Sequence, residues 1–254
     1  MSNMKKKFLI GAGILFLILI AVVFLSVMIN QNQPPPTLVA NFMNLDQVER
    51  ISKFRSCTGH TTVPQDMREM KRSMKHYVQV KPEYLENNVV ELYSPYDGYV
   101  STIRSEPQAE HPLEGEIWIR PKGGFIFAPP LGIWQFSIQH IDVRKDLKRG
   151  SEVKAGELIG WATFSKKRLN FDVVYGKMAP IPKEIDKWRS PFTDLDSIFN
   201  HMSEDVLSEY LKRGISREEI ILTKEERDKN PCVYRDNGPY FENQDDLDNW
   251  IFLE

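Results

Sequence analysis

The chain has 254 residues, 41% of them hydrophobic and 27% charged, with a formal net charge of −2. This length supplies one large domain or two small ones with enough chain for a core. The near-neutral balance excludes a generally basic nucleic-acid binder, the charged fraction excludes a polytopic membrane protein, and two cysteines are too few for a disulfide-stapled miniature or a four-cysteine zinc module.

Lys5, Lys6 and Lys7 precede an uncharged, apolar run over residues 8–29. At ~1.5 Å per residue a helix of that length covers roughly 33 Å, enough for the ~30 Å hydrocarbon core of a bilayer. No small-residue cleavage site or closely following cysteine ends the run, so it predicts an uncleaved, single-pass anchor rather than a signal peptide. The three lysines keep the N-terminus cytoplasmic and send the rest of the chain to the extracytoplasmic side of a cell membrane. With them set aside, 30 basic residues face 35 acidic ones, so the exported part carries −5. Residues 1–30 are thus expected to be tail and anchor, and residues 31–43, with Pro34, Pro35 and Pro36, a semi-rigid spacer. In an oxidising compartment Cys57 and Cys232 are candidates for a long-range disulfide, the alternative being two free buried thiols.

Leu45, Val48, Ile51 and Phe54 recur at near-helical spacing behind Asn44, a plausible cap, so residues 44–88 read as a helix followed by a loop-rich lead-in. From residue 89 short runs rich in Val, Ile, Tyr, Phe and Trp alternate with Gly and Pro, and predict strands at 89–94, 98–104, 115–120, 123–128, 132–141, 157–164 and 169–175. Residues 89–180 form this β segment. Over residues 181–254 the period becomes helical: Ser203 and the capping-box pattern Ser216-Arg217-Glu218-Glu219 start helices. The fold class expected is mainly β, with an N-terminal transmembrane helix and a C-terminal α-helical extension.

Two phrases in the β segment are the most specific features. One is Ser94-Pro95-Tyr96-Asp97-Gly98-Tyr99-Val100, the other Gly150-Ser151-Glu152-Val153-Lys154-Ala155-Gly156-Glu157-Leu158-Ile159-Gly160. Together they resemble the two halves of a barrel-sandwich hybrid, the small β fold of lipoyl and biotinyl domains, membrane-fusion adaptors and M23 (lysostaphin/LytM-like) zinc metallopeptidases. The resemblance covers roughly residues 75–176. A biotinyl domain needs its Met-Lys pair at the hairpin, whereas Met74-Lys75 lies well before Ser94-Pro95. Adaptors insert a helical hairpin between the halves, where residues 104–147 read as strands. The M23 pattern accounts for more: Phe136-Ser137-Ile138-Gln139-His140-Ile141 looks like the family's strand ending in tyrosine-alanine-histidine-leucine, and Arg168-Leu169-Asn170 stands in the place of its later His-x-His.

The M23 resemblance implies a zinc ion held by an early H-x-x-x-D segment and the later His-x-His. Here the early segment is His76-Tyr77-Val78-Gln79-Val80, so Val80 replaces the aspartate, and Arg168 and Asn170 replace the two histidines. The family's usual site is therefore degenerate, with His140 and His76 carried over and His140 the catalytic candidate. A rebuilt metal site is conceivable from His60, His76 and His140, with Glu69, Asp66 or Asp172 as carboxylate ligand or base; the alternative is that these histidines are structural. The leading functional expectation is a membrane-anchored, extracytoplasmic binding, scaffolding or regulatory protein of the cell envelope, without a cofactor. Its expected partners are the membrane through residues 8–29 and an envelope polymer or envelope protein. An atypical zinc-dependent hydrolase is the alternative, and an adaptor-like subunit of a membrane complex the third.

Overall fold

The structure is a computed structural model and describes residues 3–31, 33–86, 89–105, 113–123, 132–166 and 168–254. Helix α1 (Asn3–Gln31) takes in the whole uncharged run. Leu15, Phe16 and Leu17 are among its exposed apolar side chains. Among the described residues no helix is long and apolar enough to cross a membrane. The spacer is shorter than 31–43. Leu38, Phe42 and Met43 are buried in the main core, the Tyr175 hydroxyl donates to the Pro36 carbonyl at 3.0 Å, and the Leu38 amide donates to the His201 carbonyl.

The rest is built on antiparallel strands: β1 (Val48–Ser52), β2 (His76–Val80), β3 (Glu91–Tyr93), β4 (Gly98–Ser105), β5 (Glu114–Pro121), β6 (Trp134–Val143), β7 (Glu152–Val153), β8 (Leu158–Ala162), β9 (Asn170–Ile185), β10 (Trp188–Leu195) and β11 (Trp250–Phe252). The main path runs β11-β1-β2-β9-β6-β5-β4-β7, with β10 on β9, and with β8 joining β6 to β3. Phe136, Ile138, Phe171, Val173 and Tyr175, from the central pair β6 and β9, fill the core between the sheet and the elements that curl over it. The two phrases that carry the family resemblance lie against each other. Gly98 pairs with Val153, the Gly156 amide donates to the Ser94 carbonyl, and the Ala155 amide donates to Asp97 Oδ1 at 3.0 Å. Gly150 and Gly156 supply the left-handed turns between these strands, with φ of 90° and 75°.

Three sequence expectations are corrected. The helix expected near 45–54 is a single 3-10 turn (Leu45–Gln47), capped by Asn44 as anticipated, and β1 follows it. A register shift between Val48 and Arg50 breaks the two-residue alternation, so inward positions fall three apart and imitate a helix. The boundary expected at 181 falls inside β9, which runs on to Ile185 and returns as β10. Pro180 and Pro182 are tolerated there because β9 has left the sheet interior for a two-stranded arm, turned at Asp186 and Lys187 with φ of 53° and 65°. The short helical turn or two expected over residues 245–252 is one 3-10 turn (Leu247–Asn249), followed by a strand, β11. The C-terminal helices are short: α2 (Glu204–Leu211), α3 (Arg217–Ile220) and α4 (Lys224–Lys229), each capped by a hydroxyl, from Ser203, Ser216 and Thr223. The strand expected at 123–128 lies, from residue 124 on, outside the described residues. Cys57 and Cys232 form the disulfide, with Cα atoms 5.4 Å apart and a separation of 175 positions in sequence.

Candidate functional site

The polar residues of the site come from four places that the fold brings together. Lys75 stands directly before β2 and shares a strand face with Tyr77. Asp172 lies opposite Tyr77 on β9 and opposite Gln139 on β6. His140 is the residue at which β6 changes partner: Gln139 still pairs with β9, whereas Ile141 already pairs with Ala162 of β8. Towards β5, Gly115 pairs with Ile141 and Glu116 with Gln139, leaving His140 as the extra residue of a bulge. It has φ 66°, a left-handed conformation that a non-glycine residue adopts at a cost of about 1–3 kcal/mol. His60 arrives from the lead-in loop. Gly59 before it has φ 67°, and any Cβ there would lie 2.0 Å from the Tyr77 hydroxyl, so only glycine brings the loop this close.

At the centre is the Lys75 ammonium. It donates to Asp172 Oδ2 at 2.5 Å, to His60 Nε2 at 3.1 Å and more distantly to Gln139 Oε1 at 3.4 Å, and it lies 4.7 Å from the Tyr77 ring centroid. The side chains of Lys75 and Asp172 are each only 2% exposed. Asp172 Oδ1 is buried without a hydrogen-bond partner. His140 Nε2 is 3.8 Å from Asp172 Oδ2, and His140 Nδ1 donates to Glu114 Oε1 at 2.5 Å. Glu114 in turn accepts from Arg168 Nη2 at 2.6 Å. These contacts run in a chain from the interior outwards: Lys75, Asp172, His140, Glu114, Arg168.

Burial alone would lower the Lys75 pKa, but the charge of Asp172 outweighs it and holds the ammonium above the ordinary lysine range. Burial would likewise raise Asp172, and the Lys75 charge, with His140, keeps it below the usual carboxylate range. Burial, and then the Lys75 charge, pushes His60 down to about 3. An ammonium can only donate, so His60 Nε2 must carry the lone pair and Nδ1 the proton, which goes to the Thr61 carbonyl at 2.8 Å. Tyr77 is held up to about 12, chiefly by burial, so its hydroxyl stays neutral.

The three-histidine cluster does not assemble. His60 and His140 flank Asp172, but His76, one residue on from Lys75, points to the other face of β2. There its Nδ1 meets the Ser52 carbonyl and its Nε2 the Ser197 hydroxyl, each at 2.8 Å. Burial pushes this ring down to about 4; it is a structural residue between Phe54 and Phe199. Of the three carboxylates considered, Asp172 reaches the site. Glu69 is taken up by Arg55 and Arg72, and Asp66 by Arg68. The positions at which the resemblance places zinc ligands hold other chemistry. Val80 is in the apolar core, Arg168 binds the Thr163 and Asn170 carbonyls as well as Glu114, and Asn170 opens β9 opposite Gln79. Among the described residues no group of three or more His, Cys, Asp and Glu side chains is placed to hold a metal. Zinc does not fit the residues as they stand, because an ammonium already fills the space between His60 and Asp172.

Lys75 and Glu114 are functional-site residues that sequence reasoning missed. The only signal for Lys75 is its parity with Tyr77 and Gln79 on the polar side of β2, and nothing local shows that a loop covers that side.

No family model matches this sequence, and no curated protein does. Solved structures similar to it include Csd3 of Helicobacter pylori, at 15% identity and a TM-score of 0.35 over 56% of this chain and 32% of that one. A zinc containing peptidase from Vibrio cholerae is similar at 16% identity and a TM-score of 0.35, over 56% of this chain and 37% of that one. Lysostaphin, at 14% identity and a TM-score of 0.29, matches over 50% of this chain and 49% of its own. The chain therefore spans between a third and a half of the length of these proteins.

Proposed function

We propose that this chain is a degenerate peptidase-like protein of the cell envelope that works by binding rather than by catalysis. The observation that carries this reading is the Lys75 ammonium between Asp172 and His60. An ammonium group has three donors and no vacant coordination position. It can neither polarise a carbonyl as a Lewis acid nor lower the pKa of a bound water, which is what a catalytic metal supplies. Held above the ordinary lysine range, it is no nucleophile at neutral pH either. Partners of the expected kind are an envelope polymer or an envelope protein. The uncharged run at 8–29, behind Lys5 to Lys7, supports a single-pass anchor with an extracytoplasmic domain, and the Cys57–Cys232 disulfide fits an oxidising compartment.

The test is co-sedimentation of the full chain, in detergent, with purified peptidoglycan sacculi, followed by assay of the supernatant for released fragments. Sedimentation without fragment release supports binding. Release by the wild-type chain that is abolished in His140→Ala overturns it and restores the hydrolase. Reporter fusions after residue 40 and at the C-terminus test the topology; activity of a cytoplasm-dependent reporter at either point excludes the proposed export.

A further inference from the structure

We propose that the cleft between the β9–β10 arm and the end of β4 binds an acidic, extended peptide segment of an envelope protein, with a carboxylate held between Arg104 and Arg189. The proposal rests on the binding reading above and specifies the partner's chemistry.

The row of side chains that contains Asp172 leads to this cleft. Arg104 pairs with Glu116, Glu116 with Gln139 and Gln139 with Asp172 across β4, β5, β6 and β9, and directly opposite residues share a face. Strands lie about 4.8 Å apart, so Arg104 stands roughly 14 Å from Asp172 along one sheet face. Hydrogen bonds follow the row: Gln139 Nε2 donates to Glu116 Oε2 at 3.2 Å, and Arg104 Nη1 to Glu116 Oε1 at 2.9 Å. The arm roofs the neighbouring row, where Phe192 meets Trp118 with ring centroids 5.9 Å apart. Met178, Pro180 and Pro182, which alternate along β9, form an apolar wall with Pro191, and together with Arg104 and Arg189 they line a cleft of about 480 Å³. The wall is braced from behind. Gln65 Nε2 donates to the carbonyls of Ile181 and Ser190 at 2.8 and 2.9 Å, tying both strands of the arm, and the Ser190 hydroxyl donates to the Val63 carbonyl at 2.5 Å.

Charge and lining select the occupant. The Arg104 side chain is 57% exposed even with Glu116 beside it. Arg189 is exposed, and among the described residues it has no ion-pair partner; Glu184 lies opposite it on β9 without forming one. Two guanidinium groups against the one carboxylate of Glu116 leave an excess positive charge, which a carboxylate matches in sign and, bidentately, in shape. The chain as a whole carries −2, so its net field does not gather an acidic partner and the attraction is local to these arginines. Three prolines deprive the wall of backbone donors, so recognition falls on side chains. Their rings and Met178 suit the apolar residues of an extended peptide. Among the described residues no aromatic ring lines the cleft, which leaves a glycan chain nothing flat to stack on.

The experiment follows the fluorescence anisotropy of dye-labelled peptides titrated with the full chain in detergent. The probes are a peptide alternating glutamate and alanine, its glutamine–alanine counterpart and, as a competitor, poly(glycerol phosphate). The glutamate peptide should bind and the glutamine peptide should not, with affinity falling as salt rises. Arg104→Ala and Arg189→Ala should each weaken binding roughly tenfold, and Arg189→Lys should restore only part of it, since an ammonium lacks the fork. Lys212→Ala, which removes an exposed charge at the end of α2, should change nothing. Arg189, exposed and unpaired, carries the test should Arg104→Ala lose stability. Equal binding of the two peptides, wild-type affinity in Arg189→Ala, or an equal loss in Lys212→Ala overturns the proposal. Binding of poly(glycerol phosphate) in preference to the glutamate peptide overturns it too, and assigns the cleft to a phosphate polymer. Co-sedimentation with sacculi separates the proposal from the reading it rests on. A chain that sediments with sacculi yet binds no glutamate peptide overturns the proposal alone, whereas His140-dependent fragment release overturns the binding reading.

Discussion

Lys75 and Asp172 lie side by side with almost no exposure, and the energetics of such a pair are asymmetric. Taking both charges out of water costs several kcal/mol each, which their mutual attraction roughly repays. Removing one partner leaves the other uncompensated, at about 3–5 kcal/mol. Asp172→Asn is therefore expected to cost about 3–5 kcal/mol in urea unfolding at pH 7, and Lys75→Met combined with Asp172→Leu to recover most of it; equal losses in the single and double variants would contradict the pairing. The buried histidines give a second handle, through pH. His60 and His76 are pushed by burial down to about 3 and about 4, whereas in the unfolded chain they titrate near 6.5. Below that value the unfolded state binds protons that the folded state refuses, so stability is fully present above pH 6.5 and falls as pH drops towards the folded pKa values. The expected loss between pH 7 and pH 5 is about 2 kcal/mol per histidine. His76→Gln, which keeps a neutral partner for Ser52 and Ser197, should remove its share of that slope, measured as the change in urea midpoint between the two pH values.

The elements of the hybrid motif were legible because their side chains alternate and glycines mark their ends. Expected strands at 98–104, 115–120 and 132–141 correspond to Gly98–Ser105, Glu114–Pro121 and Trp134–Val143. β1 was not legible, because its bulge gives Val48 and Ile51 a helical spacing, and neither was β2, five residues set among charged loops. The site suffered from the same cause. His140 could be found because it lies in a recognisable strand, but His60 reaches the cluster only through a loop whose path depends on one glycine, and Lys75 stands just before a strand that was not recognised. That dependence is testable. Alanine at Gly59 must hold φ 67° and place a Cβ against the Tyr77 hydroxyl. Strain and overpacking of this kind each cost about 1–3 kcal/mol. Gly59→Ala should lower the thermal midpoint accordingly and slacken the loop, read as faster amide exchange at residues 58–62, while β4 and β5 keep their protection. Unchanged exchange at 58–62 would mean that the close approach to Tyr77 does not hold the loop.

For the molecule as a whole, the chain's end covers its beginning. The segment from α4 to β11 wraps the loop that carries His60. Arg227 Nε donates to the Arg55 carbonyl at 2.6 Å, the Phe241 amide to Gly59 and the Thr61 amide to Pro239, while Tyr240 meets the His60 ring edge-on at 5.8 Å. Few apolar side chains of this segment are buried; Phe241 and Trp250 are the large ones, and between them they do not supply a core of their own. The disulfide from Cys57 to Cys232 fastens the two pieces, closing a loop of 175 residues. A crosslink of that span stabilises by about 5 kcal/mol in the chain-entropy model, a large part of the 5–15 kcal/mol typical of a domain. Reduction, or Cys232→Ser, should therefore lower the urea midpoint and, before global unfolding, release residues 223–249 together with residues 55–62, seen as faster exchange of both segments in step. Solvent then reaches His60, the burial that held it near 3 is lost, and its titration should move up towards the ordinary histidine range, which proton resonances of the ring would report. Release of the C-terminal segment with His60 still titrating near 3 would show instead that Trp188, tilted over the ring with centroids 4.1 Å apart, and Lys75 keep the site closed without the clasp.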